Sequence, residues 1–167
     1  MKKLIVLGAL MMATTSAYAS SDSLLYAGAT LGKTTYGDNA GDDTMMGVRV
    51  GTGILPIVDI EAGYIKLGDV DVTGGGSAGI DTMYVVAKPT ITLGIADVYA
   101  KVGMHKWKVD ESGLKDDSTD FVYGLGADYY LSDRLSIGAS YMIYKFDGDN
   151  IKDSDASVVA INATFHL

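Results

Sequence analysis

The feature that most constrains this chain is a two-residue alternation that recurs in eight stretches and puts large apolar side chains on one parity and mostly Gly on the other. Alternation of that kind is the mark of β-strands with two chemically different faces. The stretches run roughly over 23–34, 44–54, 58–68, 80–92, 97–108, 120–131, 134–146 and 157–167. The joints between them alternate in length. Long polar joints fall near 35–43, 69–79, 109–119 and 147–156, and short ones near 55–57, 93–96 and 132–133, where Pro56, Gly94 and Ser132-Asp133 supply turn residues. Long and short joints in strict alternation give an antiparallel up-and-down meander.

One parity carries Leu25, Ala27, Ala29 and Leu31, then Met46, Val48 and Val50, and so on to Val159, Ile161, Ala163, Phe165 and Leu167. The other carries Gly28, Gly32, Gly47, Gly51, Gly63, Gly103, Gly124, Gly126 and Gly138, with Arg49, Glu61, Lys101 and Asp128 among them. A soluble barrel, such as a lipocalin-like binder, needs an outer face rich in Lys, Glu and Thr, and strand faces dominated by Gly make a poor one. Inside a narrow eight-stranded barrel, however, Gly makes room for the few long side chains that fill it. The apolar parity therefore faces lipid, and closure pairs every strand edge, as the hydrocarbon region requires. The expected fold is all-β: an eight-stranded antiparallel up-and-down transmembrane β-barrel. Outward Tyr64, Tyr123 and Tyr141 toward the long joints, and Tyr129 and Phe165 toward the short ones, read as aromatic girdles at the two interfaces. Val86 and Lys88 are ambiguous, because Pro89 marks either a bulge or an early strand end.

Ahead of the first strand, Lys2 and Lys3 precede the apolar run Leu4 to Met12 and then Ala17-Tyr18-Ala19. The expectation is a cleaved signal peptide, 1–19, and a barrel domain, 20–167. The formal charge of −8 argues against nucleic acid as a partner, and the absence of Cys excludes disulfides and thiolate metal sites.

Several stretches resemble a known family. Asp97-Val-Tyr-Ala-Lys101-Val-Gly103, Tyr123-Gly-Leu-Gly126-Ala-Asp-Tyr129 and Leu135-Ser-Ile-Gly-Ala-Ser-Tyr141 are similar to strands five to seven of the outer-membrane-protein-A-type barrels. Gly47-Val-Arg49-Val-Gly51 and Glu61-Ala-Gly-Tyr64 are similar to their second and third strands. Ile161, Ala163, Phe165 and Leu167 resemble the C-terminal signal read by the barrel-insertion machinery, though that family usually ends in Phe. The resemblance implies a barrel-only member akin to the small adhesin, opacity and OmpX-like proteins. It would sit integrally in the bacterial outer membrane as a monomer, with its long loops extracellular.

The expected role is structural or interactive: membrane integrity, surface contact or adhesion, with no enzymatic activity and no cofactor. In this reading Arg49, Glu61, Lys101 and Asp128 form a charge network that fills the lumen. A narrow ion or small-solute channel is the alternative. A lipid-modifying barrel enzyme comes third, with His105 as its general base, but no recognisable motif pairs a nucleophile with that residue. His166 reads as a polar residue of the periplasmic rim. Most of the 21 acidic residues lie at the long-loop end, where divalent cations can bridge them to lipopolysaccharide phosphates. Asp147-Gly-Asp149-Asn-Ile-Lys-Asp153 lacks the spacing of an EF-hand loop, and Gly74-Gly75-Gly76 is a loop tip with no helix behind it.

Overall fold

Each alternating stretch becomes a strand because its apolar parity has somewhere to go: outward, away from a lumen that its small parity leaves narrow. In the computed structural model, which describes residues 25–36, 42–55, 57–72, 76–111, 114–146 and 154–167, the strands are β1 (Tyr26–Tyr36), β2 (Asp42–Leu55), β3 (Val58–Val72), β4 (Gly76–Leu93), β5 (Ala96–Glu111), β6 (Leu114–Ser132), β7 (Leu135–Phe146) and β8 (Ser154–His166). They pair antiparallel in sequence order and close, β1 against β8, into an eight-stranded barrel. The expected signal peptide lies outside the described residues, as do the joints 37–41 and 147–153 with Asp38, Asp147, Asp149 and Asp153.

Two of the expected long loops are strands. β3 and β4 stay paired out to Val72 opposite Gly76, and β5 and β6 out to Glu111 opposite Leu114. Polar letters hid them: a hairpin that has left the hydrocarbon is wet on both faces, so apolar alternation stops while backbone pairing continues. In the second hairpin the register sets Lys108 opposite Asp117 and Asp110 opposite Lys115. A bulge where β3 leaves the barrel shifts its register between Lys66 and Asp69. Gly68 sits there at φ 96°, a left-handed backbone that a side chain would oppose.

Pro89 does not end its strand. β4 runs on to Leu93, while the ladder to β5 skips Lys88 and Pro89 and resumes at Thr90. Lacking an N–H, Pro89 is tolerated at that gap. Val86 and Lys88 keep the inward parity and are buried.

The faces divide as the alternation implies. Leu125, Val102, Ile161 and Val48 are more than half exposed on the outer wall. An arginine introduced into that wall near the bilayer midplane, Val102→Arg or Leu125→Arg, is expected to cost about 2–4 kcal/mol in urea titrations of the lipid-embedded barrel. Wild-type stability in either variant would mean that the two faces have been exchanged.

Candidate functional site

Among the described residues the buried charges lie in the lumen, and the register explains how. Each lumen Tyr of the middle zone stands opposite a Gly on the next strand: Tyr26 opposite Gly51, Tyr84 opposite Gly63 and Tyr99 opposite Gly126. A Cβ built on Gly126 would meet the Tyr99 ring at 2.5 Å, and Gly51 and Gly63 are covered in the same way by Tyr26 and Tyr84. The glycines thus let three phenols lie across the barrel and aim their hydroxyls at its axis.

At that axis sits Glu61, fully buried. Its carboxylate accepts from the Tyr84 hydroxyl at 2.7 Å and from Lys101 Nζ at 2.6 Å through one oxygen. The other oxygen accepts from the Tyr26 hydroxyl at 3.0 Å and from Arg49 Nη1 at 3.3 Å. Arg49 turns its second terminal nitrogen to Thr164 Oγ1, at 2.5 Å, and stands 4.0 Å from Asp128. All of these charged groups lie within the barrel wall, where a charge is tolerable only when paired and hydrogen-bonded.

The cluster is larger than its charged members suggest from sequence. Lys88 Nζ lies 3.7 Å from Asp128 and 3.9 Å from Asp59, and 4.4 Å above the Tyr99 ring, so the cation is held by charge and by a π face. Asn162 joins Thr30, Ser140 and the Tyr99 hydroxyl from β8 and its neighbours. Tyr26 and Tyr99 were readable from parity, each two residues from an inward Gly28 or Lys101 on its strand, and Thr164 lies between the outward Ala163 and Phe165. Reading for charge alone passes over them.

Toward the short-turn end, Asp97 accepts from the Tyr130 hydroxyl at 2.7 Å, and His166 lies 3.0 Å from Ser136 Oγ through Nε2. Toward the long-loop end the lumen changes character and becomes apolar. Trp107, Met45, Leu67, Tyr144, Val122, Val158 and Ala156 are nearly or fully inaccessible and form one cluster with Phe146 and Ile65. His105 is buried inside it, bonded to Thr82 Oγ1 at 2.9 Å and to the Lys145 carbonyl at 2.7 Å, with the rings of Tyr144 and Phe146 edge-on. Both its ring nitrogens are thus occupied, one by a threonine hydroxyl and one by a backbone carbonyl.

On the outer wall, Tyr64, Tyr123, Tyr129, Tyr141 and Phe165 are exposed. Tyr64 donates to Asp81 at 2.6 Å and Tyr141 to Ser157 at 3.1 Å. Ile161, Ala163, Phe165 and Leu167 also face outward, and Phe165 stands between Ala27 of β1 and Leu135 of β7 in register. Of the acidic residues near the long-loop end, Asp120 accepts from the Trp107 indole at 2.7 Å and Asp155 from Lys145 at 2.6 Å.

Comparison with known proteins places this arrangement. The family described as the outer membrane protein beta-barrel domain matches residues 5–165. No curated protein sequence matches significantly. Among solved structures, the chain is similar to neisserial surface protein A, with a TM-score of 0.67 and 13% identity over 87% of this chain and 98% of that one. It is similar to OprG of Pseudomonas aeruginosa, with a TM-score of 0.60 and 13% identity over 90% and 100%. It is also similar to Ail, the attachment invasion locus protein of Yersinia pestis, solved with the heparin analogue sucrose octasulfate. There the TM-score is 0.54 and the identity 13%, over 86% and 96%. At these identities the likeness is one of fold.

Proposed function

The chain belongs to the outer membrane protein β-barrel family and is an integral protein of the bacterial outer membrane, and on that premise we propose that it is a closed barrel that acts through its surface. The observation that carries this reading is the doubly filled lumen. The Glu61 cluster crosses the middle of the barrel, and the Trp107 cluster fills the half toward the long-loop end. Arg49, Glu61, Lys101 and Asp128 work here as a plug, joined by Lys88 and by Tyr26, Tyr84 and Tyr99 of the middle zone. An eight-stranded barrel is just wide enough to be filled by its own side chains, which favours a plug over a pore.

With the lumen closed, contact falls to what projects from the membrane. A spanning strand needs about 9–11 residues, and β3 to β6 have 15, 18, 16 and 19. Their excess forms the two hairpins at the long-loop end, which in this reading face the outside and carry surface contact or adhesion. Tyr64, Tyr123 and Tyr141 anchor that interface, and Tyr129 and Phe165 the opposite one. Ile161, Ala163, Phe165 and Leu167 are the segment read by the insertion machinery, after which the barrel stands as a monomer.

Swelling of proteoliposomes in a small sugar tests the reading against the solute-channel alternative. Vesicles carrying the folded barrel are expected to swell no faster than empty ones. Sugar entry that rises with the amount of barrel would make it a channel.

A further inference from the structure

Between the Glu61 cluster and the short-turn end the lumen is charged but loosely joined. Asp97 of β5 and Asp128 of β6 stand directly opposite one another, both inward and both 4% exposed. Like charges at facing positions work against the strand pairing that holds them there. Asp97 accepts from the Tyr130 hydroxyl through Oδ2, but its Oδ1 is buried with no hydrogen-bond partner among the described residues. No ion pair among those residues includes Asp97.

Asp128 is held at arm's length. The Tyr99 hydroxyl lies 3.5 Å from it, Lys88 Nζ 3.7 Å and Arg49 Nη2 4.0 Å, whereas a charge-assisted contact closes to about 2.7–2.9 Å. Glu61, by contrast, has four donors at 2.6 to 3.3 Å. Polar groups spaced beyond 3.5 Å leave room for something between them. The charges point the same way. In the middle and short-turn zones Arg49, Lys88 and Lys101 face four carboxylates, Glu61, Asp59, Asp97 and Asp128. The carboxylate left without a cation is Asp97, and a buried charge of that kind is costly until it is neutralised.

We propose that the short-turn half of the lumen binds one small monovalent cation of the alkali type, between the Oδ1 atom of Asp97 and the Asp128 carboxylate. One positive charge balances the zone. A divalent ion would overshoot it close to Lys88, and among the described residues no group of three or more carboxylates and imidazoles is set to hold such an ion. Tyr130 steadies Asp97 through its other oxygen, leaving Oδ1 for the ion. The Glu61 cluster and the Trp107 layer lie on the far side, so the ion enters from the short-turn end.

The test follows the urea midpoint of the refolded barrel in zwitterionic micelles as potassium replaces N-methylglucamine at constant chloride and ionic strength. It is run at about pH 8, where an ordinary imidazole is uncharged and supplies no competing cation. The wild-type midpoint is expected to rise with potassium and to saturate as for a single site. Asp97→Asn keeps a carbonyl acceptor for Tyr130 and removes the charge. It is expected to exceed wild type in stability when potassium is absent and to lose the response to potassium. Asp133→Asn, on an exposed turn, should respond like wild type. Heat-dependent gel mobility verifies that each variant is folded before it is scored. A flat wild-type response would overturn the site, leaving water as the partner of Asp97. So would an undiminished response in Asp97→Asn, which would mean a general salt effect. Lower stability of Asp97→Asn than wild type without potassium would also overturn it, because the charge would then be compensated within the chain.

Discussion

Glu61→Ala is expected to lower the unfolding free energy of the barrel by about 3–5 kcal/mol, the cost of breaking a buried ion pair from one side. The substitution strands Lys101, whose ammonium lies 2.6 Å from the lost carboxylate, and Arg49 at 3.3 Å. It also removes the acceptor of the Tyr26 and Tyr84 hydroxyls. Removing both members of a pair leaves no uncompensated charge, so apolar replacement of a partner should restore part of the loss. The shorter contact identifies the stronger partner. Lys101→Met in the Glu61→Leu background is expected to recover more stability than Arg49→Met in that background, because Arg49 keeps Thr164 and Asp128 close by. Urea titrations of the two double variants against their singles measure the difference. Recovery with Arg49→Met alone would mean that the guanidinium, not the ammonium, is the principal counter-ion.

Trp107→Ala carries the second large effect, about 3–5 kcal/mol for deleting a buried aromatic that its surroundings cannot refill. The indole is wholly buried, packs edge-on against Phe146 at 5.5 Å between ring centres, and donates to Asp120. Its loss leaves a void in the apolar layer and takes a donor from Asp120. Trp107→Phe, which keeps most of the volume and drops only the donor, should cost much less. Equal losses in the two variants, read from the same unfolding transition, would assign the effect to the hydrogen bond instead of the packing.

These two substitutions strike the two layers of the lumen, which were unequally legible in the sequence. The charged layer was readable because Arg49, Glu61, Lys101 and Asp128 stand out on a parity that is otherwise mostly Gly. The apolar layer was not. The alternation begun at Leu135 puts Tyr141 outward, but along Tyr141-Met-Ile-Tyr-Lys-Phe146 both parities are large and mostly apolar, so the letters alone do not mark Met142, Tyr144 and Phe146 as a buried layer. Register decides it, and register comes from closure of the whole barrel. Trp107 and His105 share the parity of Lys101, but a rim position and a buried one look alike in a single strand. Lys88 was obscured by its neighbour: a proline usually signals a strand end, whereas here it occupies a gap in one ladder and lets the strand continue to Leu93. The hairpins of β3–β4 and β5–β6 were read as loops because polar composition reports solvent, and solvent does not forbid pairing. The barrel itself was legible throughout, since the same rule held in all eight segments and the strand edges leave closure as the one solution in lipid.

The central claim, that the resting barrel is closed, is tested most directly by single-channel recording of the folded protein in a planar bilayer. The account predicts no steady current above that of the protein-free membrane, with openings appearing in Glu61→Ala, where the middle layer has lost its carboxylate. A large, steady conductance in the unmutated protein would contradict it.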